Sequence, residues 1–241
     1  MAQRAAIVTG ASSGIGLAIA RMLGEEGFAL TVAARRPDKL RAAADGLRAA
    51  GYEVQDVAVA LSEEDAVKQV VQAHRDRYGR LDVLVNNAGV GIGAPVAEIQ
   101  TKRLDMQLDV NLRSIVLFYR ECVELLRAAA KEHGTAQVVN TASISGKRGQ
   151  PWLSVYSATK AGVVGWTEAM NKELATEGIK SCALCPAFVD TPMTDFAKAG
   201  GVAPEAMITT DDIAESVRLL LKVSSACLVP EIIFERVGDA L

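Results

Sequence analysis

The stretch Ala5-Ala-Ile-Val-Thr-Gly-Ala-Ser-Ser-Gly-Ile-Gly16 decides the fold. Ala5–Thr9 is a short apolar run of the kind that forms a strand buried on both faces. It ends in a glycine-rich turn that opens a helix. Gly10, Gly14 and Gly16 permit a tight turn and a close backbone approach to a ligand. Exposed amides at the start of the following helix attract a pyrophosphate. The spacing is G-x-x-x-G-x-G rather than the commoner G-x-G-x-x-G. Strand, turn and helix in this order predict a nucleotide site, with Gly10, Ser12, Ser13, Gly14, Ile15 and Gly16 around the phosphates.

Outward from this turn, strands and helices alternate. Strand-like runs recur at 28–34, 53–60, 81–86, 137–141, 179–185 and 229–234, each rich in Val, Ile, Leu or Ala. Amphipathic stretches occupy about 15–38, 63–78, 101–131, 155–177 and 210–223. Such alternation predicts an α/β doubly wound, Rossmann-type fold, a parallel sheet with helices on both faces. No linker, low-complexity run or internal repeat divides the chain, so 1–241 reads as one domain. Pro37 suits the first turn of a helix. Ser62 reads as an N-cap before Glu63-Glu64-Asp65, and Thr210 precedes another acidic turn, Asp211-Asp212. Gly178 reads as a helix stop.

The composition excludes several classes. The 241 residues carry a net charge of −3 and a pI near 5.6, which argues against nucleic-acid binding through phosphate contacts. No apolar run reaches the ~20 residues a membrane span needs, and no leader pattern is present, so the expectation is a soluble, cytoplasmic protein. Of the four cysteines, Cys182 and Cys185 are three apart on a predicted strand and so point to opposite faces. They read as buried thiols rather than a redox or metal pair. His74 and His133 lack ligand-spaced partners and read as residues near polar helix ends, so no metal is expected.

Two further features concern chemistry. Where dinucleotide folds place an acid for the ribose 2′-hydroxyl, this chain reads Val32-Ala-Ala-Arg-Arg-Pro37. Arg35 and Arg36 pair with a 2′-phosphate that an acid would repel, which predicts NADP(H) over NAD(H). Tyr156 and Lys160 are four apart, on one face of a predicted helix and one turn apart. An ammonium beside a phenol lowers the phenol pKa and makes it an acid/base near neutral pH. Asn86-Asn-Ala-Gly89, after the fourth strand, suits a tight turn whose backbone packs against the ribose and nicotinamide.

In this order the motifs resemble the short-chain dehydrogenase/reductase family. They are Thr9-Gly-x-x-x-Gly-Ile-Gly16, Asn86-Asn-Ala-Gly89, Asn111 in Asp109-Val-Asn-Leu112, Ser143 in Asn140-Thr-Ala-Ser-Ile-Ser-Gly146, Tyr156-x-x-x-Lys160 and Pro186-Ala-Phe-Val-Asp-Thr191. The resemblance implies a seven-stranded parallel sheet of order 3-2-1-4-5-6-7 and a homodimer or homotetramer. It implies hydride transfer between a nicotinamide and a carbonyl or secondary alcohol. On its terms Tyr156 is the general acid/base and Lys160 holds the nicotinamide ribose. Ser143 hydrogen-bonds the substrate oxygen, with Ser145 a nearby alternative, and Asn111 holds a water linking Lys160 to solvent. It adds Leu61, Asn87, Ala88, Gly89, Pro186, Val189 and Thr191 to the cofactor contacts. Ala60-Leu61 stands where the family often has Asp-Val, and Pro186-Ala187 where it often has Pro-Gly. The C-terminus lacks the Gly-Gly ending common in carrier-protein reductases, which weakens an assignment to fatty-acid synthesis.

Substrate choice is expected in 91–98 and in a mobile loop region at about 190–206. Trp152, Phe188, Met193 and Phe196 read first as core residues and second as pocket lining. The alternative to a reductase is a non-catalytic NADP(H) sensor or scaffold. Among enzymes, a 3-oxoacyl thioester reductase or 3-hydroxy acid dehydrogenase fits.

Overall fold

The computed structural model describes residues 3–238, so both ends of the predicted 1–241 domain lie outside the described residues. In chain order the elements are β1 (Ala5–Thr9), α1 (Gly14–Glu25), β2 (Ala29–Ala34), α2 (Pro37–Ala49), β3 (Val54–Ala58), α3 (Glu64–Tyr78) and β4 (Val83–Asn86). Then follow α4 (Thr101–Leu108), α5 (Ser114–His133), β5 (Ala136–Thr141), α6 (Ser154–Leu174), β6 (Ile179–Pro186), α7 (Asp195–Ala199), α8 (Thr210–Lys222) and β7 (Glu231–Phe234). The seven strands form one sheet of order β3-β2-β1-β4-β5-β6-β7. Every pairing is parallel. The strand order reverses between β1 and β4, and there a crevice opens beyond the strands' carboxyl ends.

Alternation along the strands divides the core in two. Ile7, Leu84, Val138 and Ala183 face α3, α5 and α6, where they meet Val67, Phe118 and Val163. Ala6, Val8, Val32 and Val139 face the other way, onto Ile19 and Leu23 of α1, Leu40 of α2 and Ile213 of α8. A fully buried Val, Leu or Ile contributes about 1.5–3 kcal/mol, so both layers hold the sheet. Cys182 and Cys185 fall in opposite layers, as their spacing requires.

Several local readings need correction. The stretch 15–38 is not one amphipathic element, because α1 stops at Glu25, β2 intervenes and Pro37 opens α2. The N-cap of α3 is Glu63, not Ser62, and its side chain makes no capping bond. The cap of α8 is Thr209, whose hydroxyl accepts from the Asp212 amide in a reciprocal capping box. The stretch 101–131 is interrupted by a wide π turn at Asp109–Arg113. His74 is wholly buried rather than at a polar end: Nδ1 meets the Thr31 hydroxyl at 2.7 Å and Nε2 the Arg80 carbonyl at 2.7 Å. Gly178 does end the α6 segment, at φ 84° after a 3-10 turn.

At the amino ends of the strands, Asp82 is 5% exposed and locks the sheet. It accepts from the Ala5 amide at 2.8 Å and from two nitrogens of Arg80 at 2.7 and 2.8 Å.

Candidate active site

A cleft of about 700 Å³ runs along the carboxyl ends of β2, β1, β4 and β5. Thr9 organises its floor. The Thr9 hydroxyl donates to the Val85 carbonyl and accepts from the amides of Asn87 and Ala88, both at 3.0 Å. The Asn87 amide group returns a bond to the Thr9 carbonyl at 3.2 Å, and Thr141 donates to its oxygen at 3.2 Å. The glycine turn and the Asn86–Gly89 turn are thus one bonded unit. Gly10 needs its glycine twice over: its φ is 68°, and a Cβ would lie 2.9 Å from the Ala88 Cα. A Cβ on Gly16 would fall 2.5 Å from both Asn87 Nδ2 and the Gly10 carbonyl oxygen.

These residues fit a dinucleotide. The N-cap of α1 is Ser13, and no side chain caps the helix start, which leaves its amides free to face an anion. Ser12, Ser13, Gly14 and Ile15 line the cleft there, and Thr191 closes over Gly14. Arg35 and Arg36 follow β2 on the same rim, both exposed. Among the described residues neither guanidinium has an ion-pair or hydrogen-bond partner. Leu61, Asn87, Ala88, Gly89, Pro186 and Val189 also line the cleft.

At the other end, Ser143, Tyr156 and Lys160 come together, while Ser145 does not line the cleft. Three inter-strand spacings of ~4.8 Å separate β2 from β5, so about 14 Å lies between the arginines and this cluster. Lys160 is 3% exposed; its ammonium donates to the Thr141 carbonyl at 2.6 Å and lies 5.6 Å from the Tyr156 ring centre. Burial pulls the Lys160 pKa down to about 8. The Tyr156 pKa is raised by burial, with a hydrogen bond to Ser143 acting in the opposite direction. This differs from the expectation that Lys160 lowers it: in the protein alone, loss of solvent is the dominant influence on the phenol.

Asn111 sits in the π turn, not at a helix start. It is fully buried, and its side chain is engaged on both atoms. Oδ1 accepts from the Val90 amide at 2.8 Å, and Nδ2 donates to the Val90 carbonyl at 2.9 Å and to Thr159 at 3.1 Å. One turn earlier, Gln107 accepts from the Ile92 amide at 3.1 Å. Together they suspend segment 90–92 as the cleft wall opposite Ser143. Sequence reasoning placed substrate choice in 91–98 but gave no positioning role to Thr9, Thr141 or Gln107. The four-residue spacing of Gln107 and Asn111 was the available signal.

The substrate side is not built as expected. Trp152, Met193 and Phe196 are exposed rather than core residues, and of the four apolar candidates only Met193 lines the cleft. Phe188 and Phe196 stack edge to face at 5.9 Å, with Arg236 over Phe188. The 190–206 region is stitched at its base, where Val189 pairs with Ile208. Its turn is set by a capping box between Thr191 and Thr194. No cluster of His, Cys, Asp and Glu suited to a metal ion occurs among the described residues. No helix there is long and apolar enough to cross a membrane.

The fold and this cleft define a dinucleotide-binding oxidoreductase scaffold, and sequence comparison supplies the family. The profile of the family described as short chain dehydrogenase matches residues 4–200. A Streptomyces virginiae protein assigned as the ketoacyl reductase of the monensin polyketide synthase is 40% identical over 200 residues, covering 83% of this chain and 76% of that one. Among solved structures, a variant of actinorhodin polyketide ketoreductase with NADPH is 34% identical with a TM-score of 0.86, covering 97% of both chains. The 3-ketoacyl-(acyl-carrier-protein) reductase of Brucella melitensis, complexed with NADH, is 26% identical with a TM-score of 0.87, covering 97% of this chain and 96% of that one. The chain belongs to the short-chain dehydrogenase family and is an oxidoreductase of carbonyl and alcohol groups.

Proposed function

We propose that the protein is an NADP(H)-dependent ketoreductase whose proton donor is Tyr156. The observation that carries this is the meeting of the Tyr156 phenol, the Ser143 hydroxyl and the buried Lys160 ammonium at one end of a cleft with two exposed arginines at the other. Similar proteins have been solved with both NADPH and NADH, so the Arg35–Arg36 pair is what favours NADP(H) here. The bound cofactor supplies a hydride to the carbonyl carbon.

The chain's own groups handle the oxygen. Ser143 donates a hydrogen bond to the carbonyl oxygen and steadies charge gathering there. Tyr156 gives that oxygen its proton. A phenol whose pKa is raised by burial is protonated at neutral pH, which suits reduction. Lys160, anchored by the Thr141 carbonyl, holds the ribose and keeps positive charge beside the phenol. Asn111 acts through Val90, keeping the backbone of 89–92 against the nicotinamide. The phosphates lie over Gly10, Ser12, Ser13, Gly14, Ile15 and Gly16, and Leu61 flanks the adenine. Asn87, Ala88, Gly89, Pro186, Val189 and Thr191 complete the cofactor contacts, with 190–206 as the closing lid.

The substrate class is a small or medium 3-oxo compound, with a 3-oxoacyl thioester as the first form to test. We read the chain as one domain, cytoplasmic, and as a homodimer or homotetramer. The exposed small residues Ala158, Ala161 and Gly165 on α6 offer a flat face for the contact. Light scattering on the purified protein tests that assembly, and a monomer at micromolar concentration would overturn it.

The reductase reading is tested by NADPH oxidation over ketones, aldehydes and 3-oxo thioesters, repeated with Tyr156→Phe. Turnover should fall about a thousandfold in the variant while NADPH affinity holds. Tight NADPH binding without turnover by the wild type on any of them would favour the sensor reading. Turnover that survives in Tyr156→Phe would overturn the assigned proton donor.

A further inference from the structure

Trp152 is the one non-glycine residue with positive φ among the described residues, at φ 69°. For a bulky side chain this is a genuine outlier, and such conformations persist only where the surroundings impose them. Trp152 lies in the loop before α6, four residues from Tyr156, with its side chain about half exposed. It belongs neither to the core nor to the cleft lining.

Its contacts explain the conformation. The Trp152 carbonyl accepts from the Ala94 amide at 2.9 Å. The indole lies on Gly93, where an added Cβ would overlap the six-membered ring. The same segment is held at Val90 by Asn111 and at Ile92 by Gln107. Every second residue from 90 to 94 is therefore pinned by a different partner. The residues between them are glycines. Gly91 lies with its missing Cβ 3.8 Å from the Tyr156 ring, and Gly93 lies under the indole. Gly91 and Ile92 line the cleft.

We infer that Trp152 is a specificity-determining positioning residue: by clamping Gly93 and Ala94 it sets how far Gly91 and Ile92 stand from Tyr156, and so the width of the substrate side. Asn111 and Gln107 hold the inner part of the strip, and Trp152 holds its outer end. Without the clamp the outer end swings free and the pocket admits bulkier ketones, while the phosphate end of the cleft is untouched. The strained backbone is retained because an indole on bare glycine needs both the turn at 152 and the missing Cβ at 93. The substrate half of this inference rests on the reductase reading; the clamp itself does not.

The test compares wild type with Trp152→Gly, Trp152→Phe and Gly93→Ala. Hydrogen exchange of the strip amides reads the clamp without turnover. Exchange at Ile92 and Ala94 should rise about tenfold or more in Trp152→Gly and Gly93→Ala and stay near wild type in Trp152→Phe. NADPH binding should be unchanged in all three. For ethyl acetoacetate and 1-tetralone, the ratio of kcat/KM should move about tenfold toward the bicyclic ketone in the two clamp-breaking variants, mainly through KM. Unchanged strip exchange in Trp152→Gly overturns the clamp. Raised exchange with an unchanged substrate ratio overturns the specificity role. Absence of turnover by wild type on either ketone counts against the reductase reading, and the exchange result still decides the clamp. A loss of NADPH binding in every variant would mean that Trp152 supports the fold generally, and would refute the inference.

Discussion

The two ends of the sheet treat charge in opposite ways. At the amino ends, Asp82 is buried and its hydrogen bonds are met by Arg80 and the Ala5 amide; nearby, both ring nitrogens of His74 are bonded. At the carboxyl ends, among the described residues, the guanidinium groups of Arg35 and Arg36 have no partner and Lys160 is buried beside no carboxylate, while Trp152 holds a strained backbone. Both ends belong to the same strands, a few residues apart in sequence. The difference teaches that local satisfaction is a property of the end that only has to stay folded. The other end keeps its donors unmet because a ligand is to meet them.

The sharpest way to break this contrast is at the closed end. Asp82→Ala should destabilise the protein by about 3 kcal/mol, because a largely buried Arg80 loses its two short bonds and keeps as its carboxylate partner only half-exposed Glu132, at 3.3 Å. Urea unfolding would show this, while kcat/KM of the folded protein should not change; a stability within about 1 kcal/mol of wild type would refute the lock.

His74 gives a second handle on the same end. Burial lowers its pKa to about 4, against 6.5 for an unperturbed imidazole, so the unfolded chain binds a proton that the folded protein refuses. Stability from this group is complete above pH 6.5 and is lost as pH falls toward 4, by about 3 kcal/mol in total. His74→Gln should flatten the acid limb of the urea midpoint between those pH values. An identical limb in both proteins would show that His74 does not cause the loss.

At the open end the expected effects are smaller and concern ligands. Arg35→Ala should weaken NADPH binding about 10–100-fold and leave NADH unaffected, as removal of a charge-assisted contact to one phosphate predicts. Equal weakening of both, measured by titration calorimetry, would remove the phosphate clamp. Smallest is a pH effect. The Lys160 pKa of about 8 means that its charge is present below pH 8 and lost above it. Reductive kcat/KM should therefore fall by about tenfold per pH unit beyond that point. A flat profile through pH 9 would show that the ammonium is not needed.

Much of this was legible in the sequence, and unevenly so. The glycine turn, Asn86–Gly89, Ser143, Tyr156 and Lys160 are short motifs whose residue types are dictated by backbone space or proton chemistry, and most of their residues line the cleft, Gly16 and Asn86 standing behind it. The strand order came from family resemblance, since short apolar runs alone cannot say which neighbours pair. One helix cap was misplaced by a residue, at Ser62, because adjacent Ser62 and Glu63 offer competing caps. The phenol pKa was misjudged because spacing reveals the nearby ammonium but not the burial around it. Trp152 was read as a core residue because an indole is usually buried, and nothing in a single sequence reports a positive φ.

The wide turn at Asp109–Arg113 has a consequence for the helical rod that runs from Thr101 to His133. One extra residue in a turn offsets the phase of everything before it by about 100° relative to everything after it. The rod can thus present Gln107 and Asn111 to one wall of the cleft while Ile115, Phe118 and Cys122 keep their register in the core. Deleting a single residue there other than Asn111 would leave a straighter helix that keeps both Gln107 and Asn111, and α4 would face the wrong direction. The length of this segment, counted to the residue, is therefore as much a part of the active site as the identity of Asn111.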